Sequence, residues 1–348
     1  VLIAMSAALG VVALACTPPD EGPPPSTTPP TSASALALDR AGDWIAGQFN
    51  ASGFIPLASD PGASDTGAGV LAVATLASLD KAPAMAGLRL DSLESTFESY
   101  VDQGAGDRAG ALARVILAVV ASGGNPRDFG GTDLVARLES TQQPSGLFGS
   151  QYAGFDGAFR QGLALAALSV VTPRPASITP GSGQTINDVP AVAWLIDQQC
   201  DDASWLMFRA DTTTDCVENP AMWVYKDSNG SALAALGLAA VGATPDHDPQ
   251  DWFNAVRGND GGWGASPSGP TQVSDSNSTG LVIAALRALG HTPDQTAIDT
   301  LISFQIQSPA TDHGAFVWRL DSVGVIRMST LDAVVGLYER PWPGALVN

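Results

Sequence analysis

Residues 275–290 read DSNSTGLVIAALRALG, and residues 227–242 read DSNGSALAALGLAAVG. Each opens on an Asp suited to accept from the free N–H groups of a helix start. Each then runs almost wholly through Ala, Leu, Ile, Val and Gly before stopping at a Gly. A helix that is apolar nearly all round belongs inside a protein, and small side chains let neighbours come close. The same element recurs as SDTGAGVLAVATLASL at 64–79, DRAGALARVILAVVASG at 107–123, RQGLALAALSVV at 160–171 and MSTLDAVVGLYE at 328–339. Gly-Ala-Thr-Pro at 242–245 and Gly-His-Thr-Pro at 290–293 act as stop signals.

A second element precedes each of these. Its copies include ALDRAGDWIAGQF from Ala37, LDSLESTFESYVD from Leu90, TDLVARLESTQQ from Thr132, VPAVAWLIDQQ from Val189, PQDWFNAV from Pro249 and QTAIDTLISFQIQ from Gln295. One apolar stripe and one polar face predict an outer helix. A turn joins the two kinds: NASGFIP at Asn50, QQPSGLFG at Gln142, QQCDDASW at Gln198 and RGNDGGWG at Arg257. Gly permits the tight bend, and the aromatic is placed to plug against the next helix. Outer–inner pairs spaced by about fifty residues indicate a repeat architecture. An open solenoid needs distinct polar end caps, and no copy is strongly atypical. The expected fold class is therefore all-α: an (α/α)6 barrel of six outer–inner hairpins over residues 36–348. Period-2 alternation is rare, which disfavours a strand-rich fold.

The chain has 348 residues with 16 Lys+Arg against 35 Asp+Glu, a formal charge of −19. That surface repels phosphate backbones and argues against nucleic-acid binding. It equally disfavours charge-driven docking on anionic lipid. With 45% hydrophobic and 15% charged residues, a large packed core is expected. Three His and three Cys argue against a zinc-rich or iron–sulfur protein.

The first residues, VLIAMSAALGVVALAC, form an apolar run too short for a membrane span of roughly 20 residues. It reads as the apolar part of a secretion signal over residues 1–16. No basic segment precedes it, so either the chain starts upstream of Val1 or translation begins at a non-Met codon. Ala13-Leu14-Ala15 fits a cleavage site releasing a secreted protein. The same residues followed by Cys16 resemble a bacterial lipobox, in which Cys16 is acylated. Residues 17–35, opening TPPDEGPPPSTTPPTSAS, form an extended Pro/Ser/Thr-rich tether, which favours the lipoprotein reading. The protein is then exported and touches the membrane only through its N-terminal lipid. Cys200 and Cys216 remain as a disulfide pair, closing a loop worth about 3 kcal/mol.

The Gln-pair–Gly–aromatic turns at Gln142–Phe148 and Gln198–Trp205 resemble the repeat of the α/α-toroid superfamily. Arg257–Trp263 is similar without the Gln. That superfamily includes squalene and terpenoid cyclases, prenyltransferase β subunits and the cobalamin carriers intrinsic factor and transcobalamin. The resemblance spans about residues 36 to 345 and is specific for fold rather than activity. The cyclase acid motif D-x-D-D is absent; Gln199-Cys200-Asp201-Asp202 and Asp246-His247-Asp248-Pro249 come nearest. The prenyltransferase zinc set is also missing, since His247, His291 and His313 have no Cys at ligand spacing. Ser64–Ala68 and Asp275–Gly280 are similar to inner-helix openings of the cobalamin carriers. This implies a corrinoid as the sharpest ligand, although those carriers use a second, β-rich domain that does not follow Asn348.

In such a barrel the inner helices start at one end, so their N-termini ring a cavity mouth. The expected ligand-binding residues there are Asp65, Thr66, Asp107, Gln161, Asp227, Asn229, Asp275, Asn277 and Thr330, with Tyr152, Phe155, Trp223 and Tyr225 on the rim. For any single residue the competing role is plain helix capping. The leading expectation is a tethered toroid that binds a small ligand, or an extended apolar or sugar ligand, in its central cavity, with a partner protein as a lid. Neither a catalytic residue nor a metal site is assigned. One alternative is an exported terpenoid-cyclase-like or glycan-cleaving enzyme using the ring acids, although helix dipoles would depress their pKa. The other is a protein-interaction scaffold with a filled barrel.

Overall fold

The computed structural model describes residues 32–347 except 105, 150–156, 209–215, 223, 268, 270, 308–310 and 325. The secretion run, Cys16, most of the tether, and the rim candidates Tyr152, Phe155 and Trp223 lie outside the described residues.

Twelve α-helices alternate along the described chain. They are α1 Ala33–Ala46, α2 Thr66–Ser78, α3 Ala86–Val101, α4 Ala109–Ala121, α5 Leu134–Ser140 and α6 Ala158–Ser169. The second half comprises α7 Pro190–Asp197, α8 Ser228–Val241, α9 Pro249–Ala255, α10 Ser276–Ala288, α11 Gln295–Ser303 and α12 Ile326–Ala333. The even-numbered helices pack in chain order, each on the next, and α12 returns to α2, so the ring closes. The odd-numbered helices lie outside it: α3 on α2 and α4, α5 on α4, α7 on α6 and α8, α9 on α8, α11 on α10, and α1 on α2 and α11. A short antiparallel hairpin, β1 Pro56–Leu57 and β2 Asp60–Ser64, fills the first turn. Helix α1 starts ahead of the expected Leu36, because Ser32 caps it by accepting from the Ala35 amide at 3.0 Å.

Composition dictates which helix goes where. On α8, Ser228, Gly230, Leu236, Gly237 and Leu238 are all buried, whereas α3 buries only the stripe Arg89, Leu93, Phe97 and Val101. Three turn aromatics, Phe148, Trp205 and Trp263, are at most 2% exposed. Burying a side chain of this size contributes about 2–3 kcal/mol.

A shared kind of hydrogen bond fixes four turns to their inner helices. The backbone N–H of Phe148 donates to Gln161 Oε1 (2.7 Å), that of Trp205 to Ser231 Oγ (2.9 Å), that of Trp263 to Thr279 Oγ1 (3.0 Å) and that of Phe316 to Thr330 Oγ1 (2.8 Å). The side chains of Gln161, Ser231, Thr279 and Thr330 thus satisfy donors that burial would otherwise orphan. The indoles of Trp205 and Trp263 donate to the Leu195 and Phe253 carbonyls, both at 2.8 Å.

The small residues draw the ring tight. A Cβ added at Gly162 of α6 would sit 2.1 Å from the Leu233 carbonyl oxygen of α8. At Gly280 of α10 it would meet the Ala333 carbonyl oxygen at 2.7 Å. Helices in such contact narrow the ring. The enclosed space between α2, α4, α6 and α12, lined partly by Leu71, Arg114, Leu163 and Trp342, measures about 40 Å³. Ligand pockets run to roughly 300–1,000 Å³. Among the described residues, this space where a central chamber was expected holds water-sized occupants at most.

Candidate functional site at the mouth of the ring

The inner helices do begin at one end, and their caps sort the predicted ring into distinct roles. Asp65 accepts from the Ala68 amide at 3.2 Å and pairs with Arg327 at 3.0 Å, joining α2 to α12. Thr66 is nearly buried beside it, at 9% exposure. Asp107 caps nothing: the residue before α4 is Arg108, and Asp107 faces outward to Arg137 of α5 at 2.6 Å. Arg137 also reaches Glu98 at 2.7 Å, and its pKa rises through these carboxylates, Asp107 first. Gln161 and Thr330 are 0% exposed and spent on backbone groups, so both leave the expected ligand set.

Asp227 and Asp275 are 1% and 2% exposed. Asp227 accepts from the Gly230 amide at 2.8 Å; Asp275 accepts from the Ser278 amide at 2.8 Å and the Ala265 amide at 3.0 Å. Burial pushes the Asp227 carboxyl up to about 7, against its backbone hydrogen bonds and with a further push from Asp275. Burial raises Asp275 as well. The helix dipoles were expected to depress these acids; desolvation outweighs them. Neither carboxyl is open to a ligand.

What faces the axis is a different group. Asn277 of α10 donates to Asp332 Oδ2 of α12 at 2.9 Å. Arg114 of α4 stands opposite, its charge felt by Asp332 and by Tyr100 at the end of α3. Burial pushes the Asp332 carboxyl up, although Arg114 and the Asn277 amide pull it down. Burial would lower Arg114, but Tyr100 and Asp332 outweigh it and its pKa rises. Arg114 also lies 5.8 Å from the centre of the Phe159 ring on α6. Asn229 of α8, a predicted ring residue, keeps a buried Oδ1 with no partner among the described residues. The mouth therefore has a polar floor of guanidinium, carboxylate, amide and phenol groups.

Sequence reasoning passed over Arg114 and Asp332. A signal existed: each is the charged residue inside an otherwise apolar inner-helix core, LARVIL and TLDAVV. On a helix buried all round, a charge must face either a partner or the axis. The rim candidate Tyr225 is partly buried and lines an open groove of about 480 Å³ with Glu218, Pro220, Lys226, Ser266 and Pro267, next to the start of α8.

Cys200 and Cys216 form a disulfide with Cα atoms 5.6 Å apart, bracing the turn before that groove. No group of His, Cys, Asp or Glu among the described residues is arranged to hold a metal. No described helix is long and apolar enough to cross a membrane.

No protein-family model and no curated protein matches the sequence. Solved structures do match its shape. A variant of the type II terpene cyclase MstE from Scytonema, in complex with merosterolic acid A, is similar with a TM-score of 0.55 at 15% identity, over 87% of this chain and 96% of that one. An alpha-amylase from Clostridium perfringens is similar with a TM-score of 0.56 at 11% identity, over 87% and 96%. A protein from Actinoplanes is similar at 0.54 and 14% identity, over 87% and 98%. At these identities the likeness speaks for architecture and not for the cobalamin-carrier branch or any activity. The chain folds as an α/α toroid, the architecture its glycine–aromatic turns resemble.

Proposed function

We propose that this toroid binds an extended, hydroxyl-rich ligand of the glycan class across the mouth of its inner ring. One observation carries the reading: Arg114, Asp332 and Asn277, from three different inner helices, converge on a polar floor above an axis with only about 40 Å³ of free space. A floor mixing donors and acceptors suits hydroxyl groups, and the roughly 40 Å³ below it is far too small for a polyprenyl chain or a corrin. The groove beside Tyr225 extends the surface, and an aromatic face suits a sugar ring. The disulfide suits an oxidising compartment. With the secretion-like run and Cys16, it supports export and lipid tethering as part of the proposal. Detergent partitioning of wild type and Cys16→Ser tests the anchor; equal partitioning counts against it.

The binding test is calorimetry against maltohexaose and cellohexaose. At least one should bind saturably, and Asp332→Asn and Arg114→Gln should each weaken it roughly tenfold while leaving the fold intact. No saturable binding, or binding unmoved by both substitutions, rejects the reading.

A second reading rests on Asp332 alone. A carboxyl raised by burial can donate a proton, so Asp332 is the acid to test for glycan cleavage. Reducing ends released by wild type and lost in Asp332→Asn would move the protein to the enzymes.

A further inference from the structure

A second concavity lies at the other end of the ring, about 20 Å from the mouth by the length of α2. Its volume is about 280 Å³. Val73, Leu76, Pro83, Leu90 and Ala121 supply apolar walls from the end of α2, the link to α3, the first turns of α3 and the end of α4.

Arg89 also lines it. Its residue is 4% exposed. Its Nε is buried without a hydrogen-bond partner among the described residues. One terminal nitrogen donates weakly to the Lys81 carbonyl at 3.3 Å, and the guanidinium lies 4.9 Å from the centre of the Phe49 ring. Among the described residues no carboxylate bonds to it, and burial lowers its pKa. Arg137, Arg257 and Arg327 each have an Asp within 3.0 Å, whereas Arg174 and Arg287, like Arg89, donate to backbone carbonyls; of these three only Arg89 lines this pocket. A guanidinium held in the protein without its anion is costly unless something else supplies one.

The second cation at this pocket does not change the count. Lys81 is bound by Asp39 and Asp43, both at 2.6 Å, and Asp80 adds a negative charge to the lining. A dianion such as phosphate meets too much negative charge. One guanidinium without a carboxylate partner, apolar walls and a small volume match a monoanion with a hydrocarbon body.

We infer that this pocket binds a small monocarboxylate with an apolar tail, its carboxylate on Arg89 and its tail against Val73, Leu76 and Leu90. The planar fork of arginine pairs two donors with the two carboxylate oxygens. The site is independent of the mouth and of any glycan there.

The test titrates the full chain with octanoate and, as a neutral control of equal length, octan-1-ol. Octanoate should bind saturably at one site, and the alcohol roughly tenfold more weakly or worse. Arg89→Gln should cost octanoate a similar factor. Gly87→Leu is the second arm: a Cβ there meets nothing within 4 Å, so the substitution fills pocket space without backbone conflict. It should block octanoate while leaving the melting temperature of the free protein near that of wild type. If octanoate fails to saturate, if the alcohol binds equally, or if Gly87→Leu binds octanoate as wild type does, the inference is wrong.

Discussion

Gly162 on α6 and Gly237 on α8 meet backbone to backbone: a Cβ built on Gly237 would lie 2.5 Å from the Gly162 carbonyl oxygen. This contact makes the ring tight. Gly280 on α10 and Gly336 just beyond α12 repeat it, with a Cβ on Gly336 falling 2.6 Å from the Gly280 oxygen.

Gly237→Ala should therefore destabilise the domain despite the better helix propensity of Ala. Propensity offers about 1 kcal/mol; forcing two backbones apart costs about 1–3 kcal/mol or more. Urea unfolding should show a net loss, whereas Gly69→Ala on α2, where a Cβ meets nothing within 4 Å, should show a gain. Equal behaviour of the two variants would contradict the close approach.

Thr279→Val keeps the shape of a buried side chain but removes the acceptor for the Trp263 amide. The orphaned N–H should cost about 1–3 kcal/mol. Hydrogen exchange at the Trp263 amide should quicken in step. A silent substitution would mean that the turn does not need its tie to α10.

The pH dependence of stability should carry the mark of Asp227. Burial pushes its folded carboxyl up to about 7, well above the ordinary Asp value of about 3.9. Between those values the folded state holds a proton that the unfolded chain has lost, so stability falls as pH rises through this window. Asp227→Asn keeps a capping oxygen and removes the buried charge. It should flatten that slope and raise stability at pH 8 by about 1–3 kcal/mol. Melting curves from pH 4 to about 8 check the sign; a variant less stable than wild type at pH 8 would show the opposite linkage.

Reducing the Cys200–Cys216 bond, or replacing both residues by Ser, should cost about 3 kcal/mol by releasing a loop with a sequence separation of 16. Thermal unfolding with and without reductant gives the difference directly. The groove beside Tyr225 should become more accessible to protease in the reduced form.

The repeat itself was readable without coordinates. Ala-rich inner stretches such as 227–242, the striped outer ones such as 90–102, and the glycine–aromatic turns between them are local patterns. Their periodicity states which faces must be buried. The caps Asp65, Asp227 and Asp275 were equally legible, because capping depends on the few residues that follow. Asp107 was misread for the opposite reason: its partner Arg137 is distant in sequence, and the choice of that ion pair over a cap is a tertiary one.

The emptiness or fullness of the axis belonged to the tertiary structure alone. It depends on how closely Gly162 lets α6 approach α8, a distance that no single helix encodes. The same holds for Arg114 and Asp332, which meet only once the ring has closed, and for Arg89, whose missing counter-charge becomes visible only when its surroundings have assembled. Sequence fixes which residues are apolar and how they repeat, since those are properties of neighbours along the chain. Free volume and the pairing of charges are properties of neighbours in space.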